Sequence, residues 1–127
     1  MPFKKILIFF LILPSVCLAA NWIEIGSSET IAHYIDKSSI EKKKNLITYW
    51  MLTDYKDLQL TSTSKYLSIK TKNIINCSTH EIAMTYGVTA KEGMGKGEIL
   101  DTTNLDGKFS PIIPDSIGEI EEKYLCK

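Results

Sequence analysis

Cys77 and Cys126 are the residues of this sequence whose type and position most directly predict covalent chemistry. In an oxidising compartment, an even pair of cysteines in a small domain favours a disulfide. Two free thiols or a metal site is the alternative, but a metal would require further ligands that the sequence does not place beside either cysteine. We therefore expect a Cys77–Cys126 disulfide that joins the middle of a sheet to the C-terminal segment.

The two histidines form no catalytic pattern. His33 stands between Ile31 and Ile35 on the apolar side of an alternating segment, a position typical of a packed, hydrogen-bonded side chain. His80 has no histidine or carboxylate partner at a diagnostic spacing. Because catalysis needs a base near a nucleophile or a clustered metal site, we expect no catalytic residues, no metal and no other cofactor. An enzyme is the least favoured function.

The glycine-rich segment 93–97, Gly-Met-Gly-Lys-Gly, invites comparison with a phosphate-binding loop. It lacks the full spacing of such a loop, the hydroxyl after the lysine and a following helix. A hairpin tip or a bulge is the favoured interpretation.

Residues 1–20 have the organisation of a secretory signal peptide. Lys4 and Lys5 precede the apolar run 6–13, and Pro14 and the small residues near Ala20 follow it. The apolar run is shorter than the ~20 residues of a transmembrane helix, so we expect export and no membrane span. The domain would then comprise residues 21–127.

A lipid anchor at Cys17 is disfavoured, because Pro14, Ser15 and Val16 before it do not match a bacterial lipoprotein signal. We expect the protein in the periplasm or at the outer cell surface.

The charge of the chain is balanced, and every one of its 15 cations is a lysine. Loss of Lys4 and Lys5 with the signal peptide leaves 13 lysines against 15 acids, a net charge of −2. General nucleic-acid binding requires clustered positive charge, so we do not expect it.

Alternating apolar and polar residues predict an α+β domain built on a single antiparallel sheet of about five to six strands. The segment 46–53 is apolar on both parities, which favours a central strand that is covered on both faces. The segment 37–45 reads as a charged connection and 54–64 as a loop or strand end. The expected strands are 21–26, 30–36, 46–53, 65–77 and 78–86, with 98–101 and 109–113, joined by a tight turn at Asp106 and Gly107, as candidates for the last strands.

One helix is predicted to open at 114–116, Pro-Asp-Ser, and to cover one face of the sheet. It should end near Tyr124 so that Cys126 turns inward. The expected apolar stripe is Ile113, Ile117, Ile120 and Tyr124, with Glu119, Glu121 and Glu122 on other faces.

Four short motifs, in order and at matching spacing, make the sequence resemble the surface-adhesin protein E family of bacterial exported proteins. They are Tyr34-Ile35-Asp36 with Ser39-Ile40; Ile74, Asn76 and Cys77; Gly95 and Gly97; and Pro114-Asp115-Ser116 leading to Cys126. The resemblance extends from Tyr34 to Cys126, nearly all of the expected mature chain.

The resemblance implies an antiparallel sheet whose concave face holds a C-terminal helix tied by the Cys77–Cys126 disulfide. It also implies surface exposure and adhesion to host matrix proteins such as vitronectin and laminin. The resemblance further implies that binding involves the basic segment before the first cysteine, so Lys65, Lys70 and Lys72 are the candidate ligand-binding residues. Lys70 and Lys72 share the polar side of their strand, although an ordinary solvated face is the simpler interpretation.

Two functions other than catalysis therefore remain open for this protein. The first is a surface-exposed, non-catalytic binding module for host matrix proteins. The second is a soluble periplasmic accessory protein that shares only the scaffold and binds a protein or peptide partner, for example along a sheet edge. A homodimer formed through the sheet is compatible with either.

Overall fold

The computed structural model describes residue 12 and residues 19–127. Cys17 and all of the predicted signal peptide except residues 12, 19 and 20 lie outside the described residues. In the described part, no helix is long and apolar enough to cross a membrane. The elements formed by residues 19–127 are the strands β1 Trp22–Ser27, β2 Ile31–Asp36, β3 Glu41–Lys43, β4 Leu46–Leu60, β5 Lys65–Asn76, β6 Glu81–Ala90, β7 Ile99–Asn104 and β8 Ser110–Pro111, and the helix α1 Ile117–Leu125.

The strands form one antiparallel sheet in the order β1-β2-β4-β5-β6-β7. Short β3 pairs with β4, and short β8 pairs with β6. The predicted class, an antiparallel sheet with one C-terminal helix, is confirmed, although the two short strands raise the strand number above the expected five to six. Connections between sequential neighbours are short, as antiparallel pairing allows.

The central strand β4 buries side chains on both faces, as its double apolar pattern predicts. Ile47, Tyr49 and Met51 point to the side where α1 packs, which we call the helix face. Leu52 points to the opposite side, which we call the open face, and is 0% exposed. Alternation along paired strands then assigns each neighbouring side chain to one of the two faces.

The predicted disulfide is present and ties the end of α1 to the end of β5. Cys77 and Cys126 are bonded, with their Cα atoms 5.7 Å apart. Cys126 is the C-cap residue of α1, so the helix ends one residue later than predicted and the cysteine turns towards the sheet. The disulfide packs against the core of the helix face, which includes Ile35, Ile75 and Leu125.

The predicted apolar stripe of the helix is only partly confirmed, because Ile117 and Tyr124 pack against the core whereas its other two members are exposed. The side chains that α1 buries are Glu121 and Leu125, whereas Ile113 is 69% and Ile120 41% exposed. The helix begins at Ile117 with Ser116 as its N-cap, so Pro114 and Asp115 precede it. The covalent link at Cys126 and the buried Leu125 rotate the helix so that the line Ile117–Glu121–Leu125 faces the sheet, because residues four apart share one face.

The tight turn predicted at Asp106 and Gly107 is also wrong, since β7 and β8 do not pair with each other. Both lie along β6, β7 beside its second half and β8 beside its first two residues. The backbone between them also bonds to β6, from Leu105 N to Thr85 O and from Gly107 N to Met84 O. Residues 99–111 therefore form one interrupted edge.

Strand extends into both predicted connections, which corrects the first and agrees with the strand-end alternative for 54–64. The segment 37–45 includes β3, which forms a hairpin with the start of β4. The strand β4 continues to Leu60, past an irregularity between Asp54 and Gln59, because its far end pairs with the start of β5.

Candidate functional site

Lys72 lies in a row of side chains that crosses the open face. Trp50, Lys72, Tyr86 and Asn104 are successive cross-strand partners on β4, β5, β6 and β7, so their side chains share one face. Lys72 is exposed, and the rings of Trp50 and Tyr86 meet edge to face with centroids 6.1 Å apart. The aromatic rings thus come together across the strand that carries the lysine.

Lys70 lies in the next row of the same face, paired with Leu52 and Val88. Its aliphatic stem passes beneath Gly95, where an added Cβ would lie 3.0 Å from Lys70 Cδ. This contact leaves Lys70 half-buried and restricts its side chain. We call Lys70, Lys72, Trp50 and Tyr86 the lysine face.

The third predicted binding residue, Lys65, is not part of the lysine face. It stands at the start of β5, five residues from Lys70, which is roughly 16 Å along an extended strand. Because side chains alternate along a strand, Lys65 also points to the opposite face from Lys70 and Lys72. The structure therefore brings two of the three predicted lysines together.

The glycine-rich turn folds back onto the open face and binds a carboxylate of the protein itself. The Met94 N–H donates to Asp54 Oδ1 at 2.8 Å, and the Gly95 N–H donates to Ser68 Oγ at 2.9 Å. Ser68 Oγ in turn donates to Glu92 O at 2.6 Å. The prediction of a hairpin connection is confirmed, since the turn joins paired strands β6 and β7. Its bonds bury Ser68 at one end of the lysine face.

Two acidic groups lie on the same face as the lysines, Glu24 on β1 and Asp54 on β4. Burial, and after it the charges of Glu24 and Asp54, raise the pKa of Tyr34. Tyr34 pairs with Leu52, the neighbour of Lys70. The lysines of β5 are therefore the positive part of a face that also carries acids on β1 and β4.

The helix face contains a buried polar cluster that the sequence patterns did not predict. Tyr49 Oη donates to Glu121 Oε1 at 2.7 Å, and Asn73 Nδ2 donates to the same oxygen at 3.2 Å. Burial raises the pKa of Glu121, against the opposing effect of these two hydrogen bonds, and burial followed by the charge of Glu121 raises the pKa of Tyr49. The spacing of Glu121, four residues from both Ile117 and Leu125, is the signal that could have placed it inside.

The two histidines have structural partners. His33 is half-buried, its Nδ1 lies 3.3 Å from Thr53 Oγ1, and burial lowers its pKa, which agrees with the predicted packed and hydrogen-bonded role. His80 Nδ1 lies 3.2 Å from Glu122 Oε2, a partner on α1 that sequence spacing did not reveal. In residues 12 and 19–127, no cluster of three or more histidine, cysteine or acidic side chains is placed to hold a metal.

Comparison with known families assigns the whole domain to one family. The family model described as surface-adhesin protein E matches residues 22–127, which is every described element. The chain belongs to the surface-adhesin protein E family. The family resemblance expected from the four sequence motifs is thus confirmed, and its members are named as surface adhesins.

Solved structures of a family member show the same fold. One crystal form of Haemophilus influenzae protein E is similar with a TM-score of 0.69 and 14% sequence identity, over 90% of this chain and 93% of that chain. Protein E from non-typeable Haemophilus influenzae is similar with a TM-score of 0.66 and 14% identity, over 90% and 80% of the two chains. A comparison with curated proteins finds no match. At this identity the likeness concerns the fold.

Proposed function

We propose that this protein is an exported, non-catalytic adhesin that binds host extracellular-matrix proteins, such as vitronectin and laminin, through the lysine face. Membership of a family of surface adhesins supports the class of function. Lys72 would be the central contact and Lys70 a neighbouring one.

The observation that carries this proposal is the position of Lys72 between two aromatic rings on the face that α1 leaves open. Tryptophan and tyrosine contribute strongly to binding energy at protein interfaces, because they bury much area while losing little freedom. A lysine among them supplies positive charge that attracts an acidic segment and aligns it. Repulsion from the acids on β1 and β4 would help to orient that acidic segment on the face.

The location follows from the sequence. We infer that residues 1–20 are a signal peptide that is removed on export, which leaves residues 21–127 as the mature domain without Cys17 as a lipid anchor. Surface display is the proposed destination, and retention in the periplasm would favour the accessory-protein function instead.

Binding of the mature, disulfide-bonded protein to immobilised vitronectin and laminin tests the proposal. We expect Lys72→Glu to weaken binding about tenfold or more, because it replaces attraction by repulsion at the centre of the face. Lys42→Glu is the matched control, since Lys42 is exposed on β3 beside the disulfide, away from the lysine face. Raising the salt from about 0.1 M to about 1 M shortens the screening length from ~10 to ~3 Å and should weaken wild-type binding as well.

Two further variants separate the three predicted lysines. Lys70→Glu should also weaken binding, and Lys65→Glu tests whether the more distant lysine contributes. Binding that is insensitive to salt and unchanged in Lys72→Glu would overturn the lysine face as the site. Absence of wild-type binding, with antibody labelling of the source cells only after permeabilisation, would favour the periplasmic accessory protein.

A further inference from the structure

An open groove of about 610 Å³ lies on the helix face. It is bounded by α1, by β5 and β6 where these strands pair, and by residues 105–113. Its walls are mostly apolar. Several of the lining side chains keep substantial exposure despite their size, among them Met84 at 51% and Phe109 at 40%. The apolar lining residues include Met51, Ile82, Met84, Leu105, Phe109 and Ile117.

The groove reaches two polar side chains that are themselves buried. Asn73 and Glu121 both line it, and each is 2% exposed. The amide orientation of Asn73 is set by Glu121, since a carboxylate accepts hydrogen bonds and Nδ2 is the donor that reaches it. Asn73 Oδ1 is consequently buried, with no hydrogen-bond partner among the described residues. A buried acceptor without a hydrogen bond destabilises the fold. Asn73 Oδ1 therefore marks a position where a bound hydrogen-bond donor would be favourable.

The base of the groove contains hydrogen-bond acceptors that lack donors in the part of the chain that the structure describes. Tyr49 Oη and Asn73 Nδ2 both donate to Glu121 Oε1, so the second carboxylate oxygen of Glu121 and Asn73 Oδ1 are acceptors without a donor among these contacts. The ionisable groups that line the groove are Glu121, Asp106 and Lys108, two acids against one base. A cationic group with several N–H bonds complements this arrangement, and an anion does not.

We propose that the groove binds a small apolar molecule that carries one primary ammonium group, held by Glu121 and Asn73 Oδ1. The volume is that of typical small-molecule sites, which lie at roughly 300–1,000 Å³ and combine apolar walls with a few placed polar groups. An ammonium group carries three N–H bonds, enough to donate to both acceptors, and an apolar body would cover the methionine and phenylalanine side chains. This site is on the opposite side of the sheet from the lysine face and is independent of matrix binding.

The methionines allow a direct test. Met51 and Met84 line the groove, whereas Met94 sits in the glycine-rich turn on the open face and serves as an internal control. We would titrate the protein, with ¹³C-labelled methionine methyl groups, with n-hexylammonium, hexan-1-ol and hexanoate. We expect saturable shifts at Met51 and Met84 but not at Met94, with hexylammonium bound about tenfold or more tightly than hexanoate.

Two variants test the assignment of the ammonium contact. Glu121→Gln should weaken hexylammonium binding about tenfold and remove the preference over hexanol, and the same spectra show whether the variant is folded. Met84→Lys places a cation at the exposed mouth, so it should weaken hexylammonium and favour hexanoate without disturbing the core. Lys72→Glu on the open face should leave hexylammonium binding unchanged.

Equal affinity for hexylammonium and hexanoate would overturn the proposal, as would shifts of the same size at Met94. Hexylammonium binding that persists unchanged in both Glu121→Gln and Met84→Lys would do so too. None of these results bears on matrix binding, which is measured separately with the Lys72 variant.

Discussion

The buried hydrogen bond between Tyr49 and Glu121 yields a quantitative prediction. Tyr49 Oη donates to Glu121 Oε1 at 2.7 Å, and Tyr49 is 0% exposed. Tyr49→Phe keeps the ring that fills the core and removes one of the two donors to the carboxylate.

The expected cost depends on the charge of Glu121. A hydrogen bond to a charged group stabilises a fold by about 1.5–3 kcal/mol, compared with about 0.5–1.5 kcal/mol for a neutral pair. Tyr49→Phe should therefore lower the free energy of unfolding by about 1.5–3 kcal/mol when Glu121 is ionised. In the Glu121→Gln background the same change should cost only about 0.5–1.5 kcal/mol.

The pH dependence has a defined sign. Burial raises the pKa of Glu121, so the folded protein holds this proton more tightly than the unfolded chain. The stability contributed by Glu121 is fully present below its unfolded-chain pKa of about 4.3, and it is lost as the pH rises through the raised folded pKa. Because the Tyr49 bond favours the ionised carboxylate, the cost of Tyr49→Phe should shrink as the pH falls through that raised pKa.

Urea unfolding of four proteins measures these quantities: wild type, Tyr49→Phe, Glu121→Gln and the double variant, all with the disulfide intact. Tyr86→Phe on the open face is the matched tyrosine control. If Tyr49→Phe costs the same in both backgrounds and at every pH, the tyrosine makes no charge-assisted bond and the reasoning is refuted.

Two further predictions concern the covalent frame and the backbone. Replacing Cys77 and Cys126 by alanine opens a loop of 49 residues and should lower the free energy of unfolding by about 4 kcal/mol on the chain-entropy model, again by urea unfolding; a loss below about 1 kcal/mol would contradict it. Gly97→Ala should destabilise by about 1 kcal/mol or more, because Gly97 has φ +80° and the added Cβ would lie 2.7 Å from Glu92 Cγ. Gly118→Ala is its counterpart inside α1, where contacts no closer than 3.4 Å should let alanine raise the melting temperature, with a gain of about 0.5–1 kcal/mol; equal effects at the two glycines would count against this reading.

Local patterns in the sequence were sufficient to predict the sheet, the C-terminal helix and the disulfide. Apolar residues on both parities of 46–53 predicted a strand covered on both faces, and β4 buries side chains on both. The pair Cys77 and Cys126 predicted the covalent link, since no other cysteine follows residue 17. Strand parity likewise placed Lys70 and Lys72 on one face, because side-chain alternation is a property of the extended backbone itself.

The orientation of the helix and the pairing of the last strands depended on tertiary packing. The apolar pattern of the sequence favoured the stripe of Ile113 and Ile120, whereas the disulfide and the burial of Leu125 turn the line that contains Glu121 towards the sheet. The donors that make this carboxylate tolerable, Tyr49 and Asn73, are 72 and 48 residues away from it along the chain. A buried charge is acceptable only where distant donors converge on it, and that convergence is a property of three-dimensional packing that no local pattern encodes.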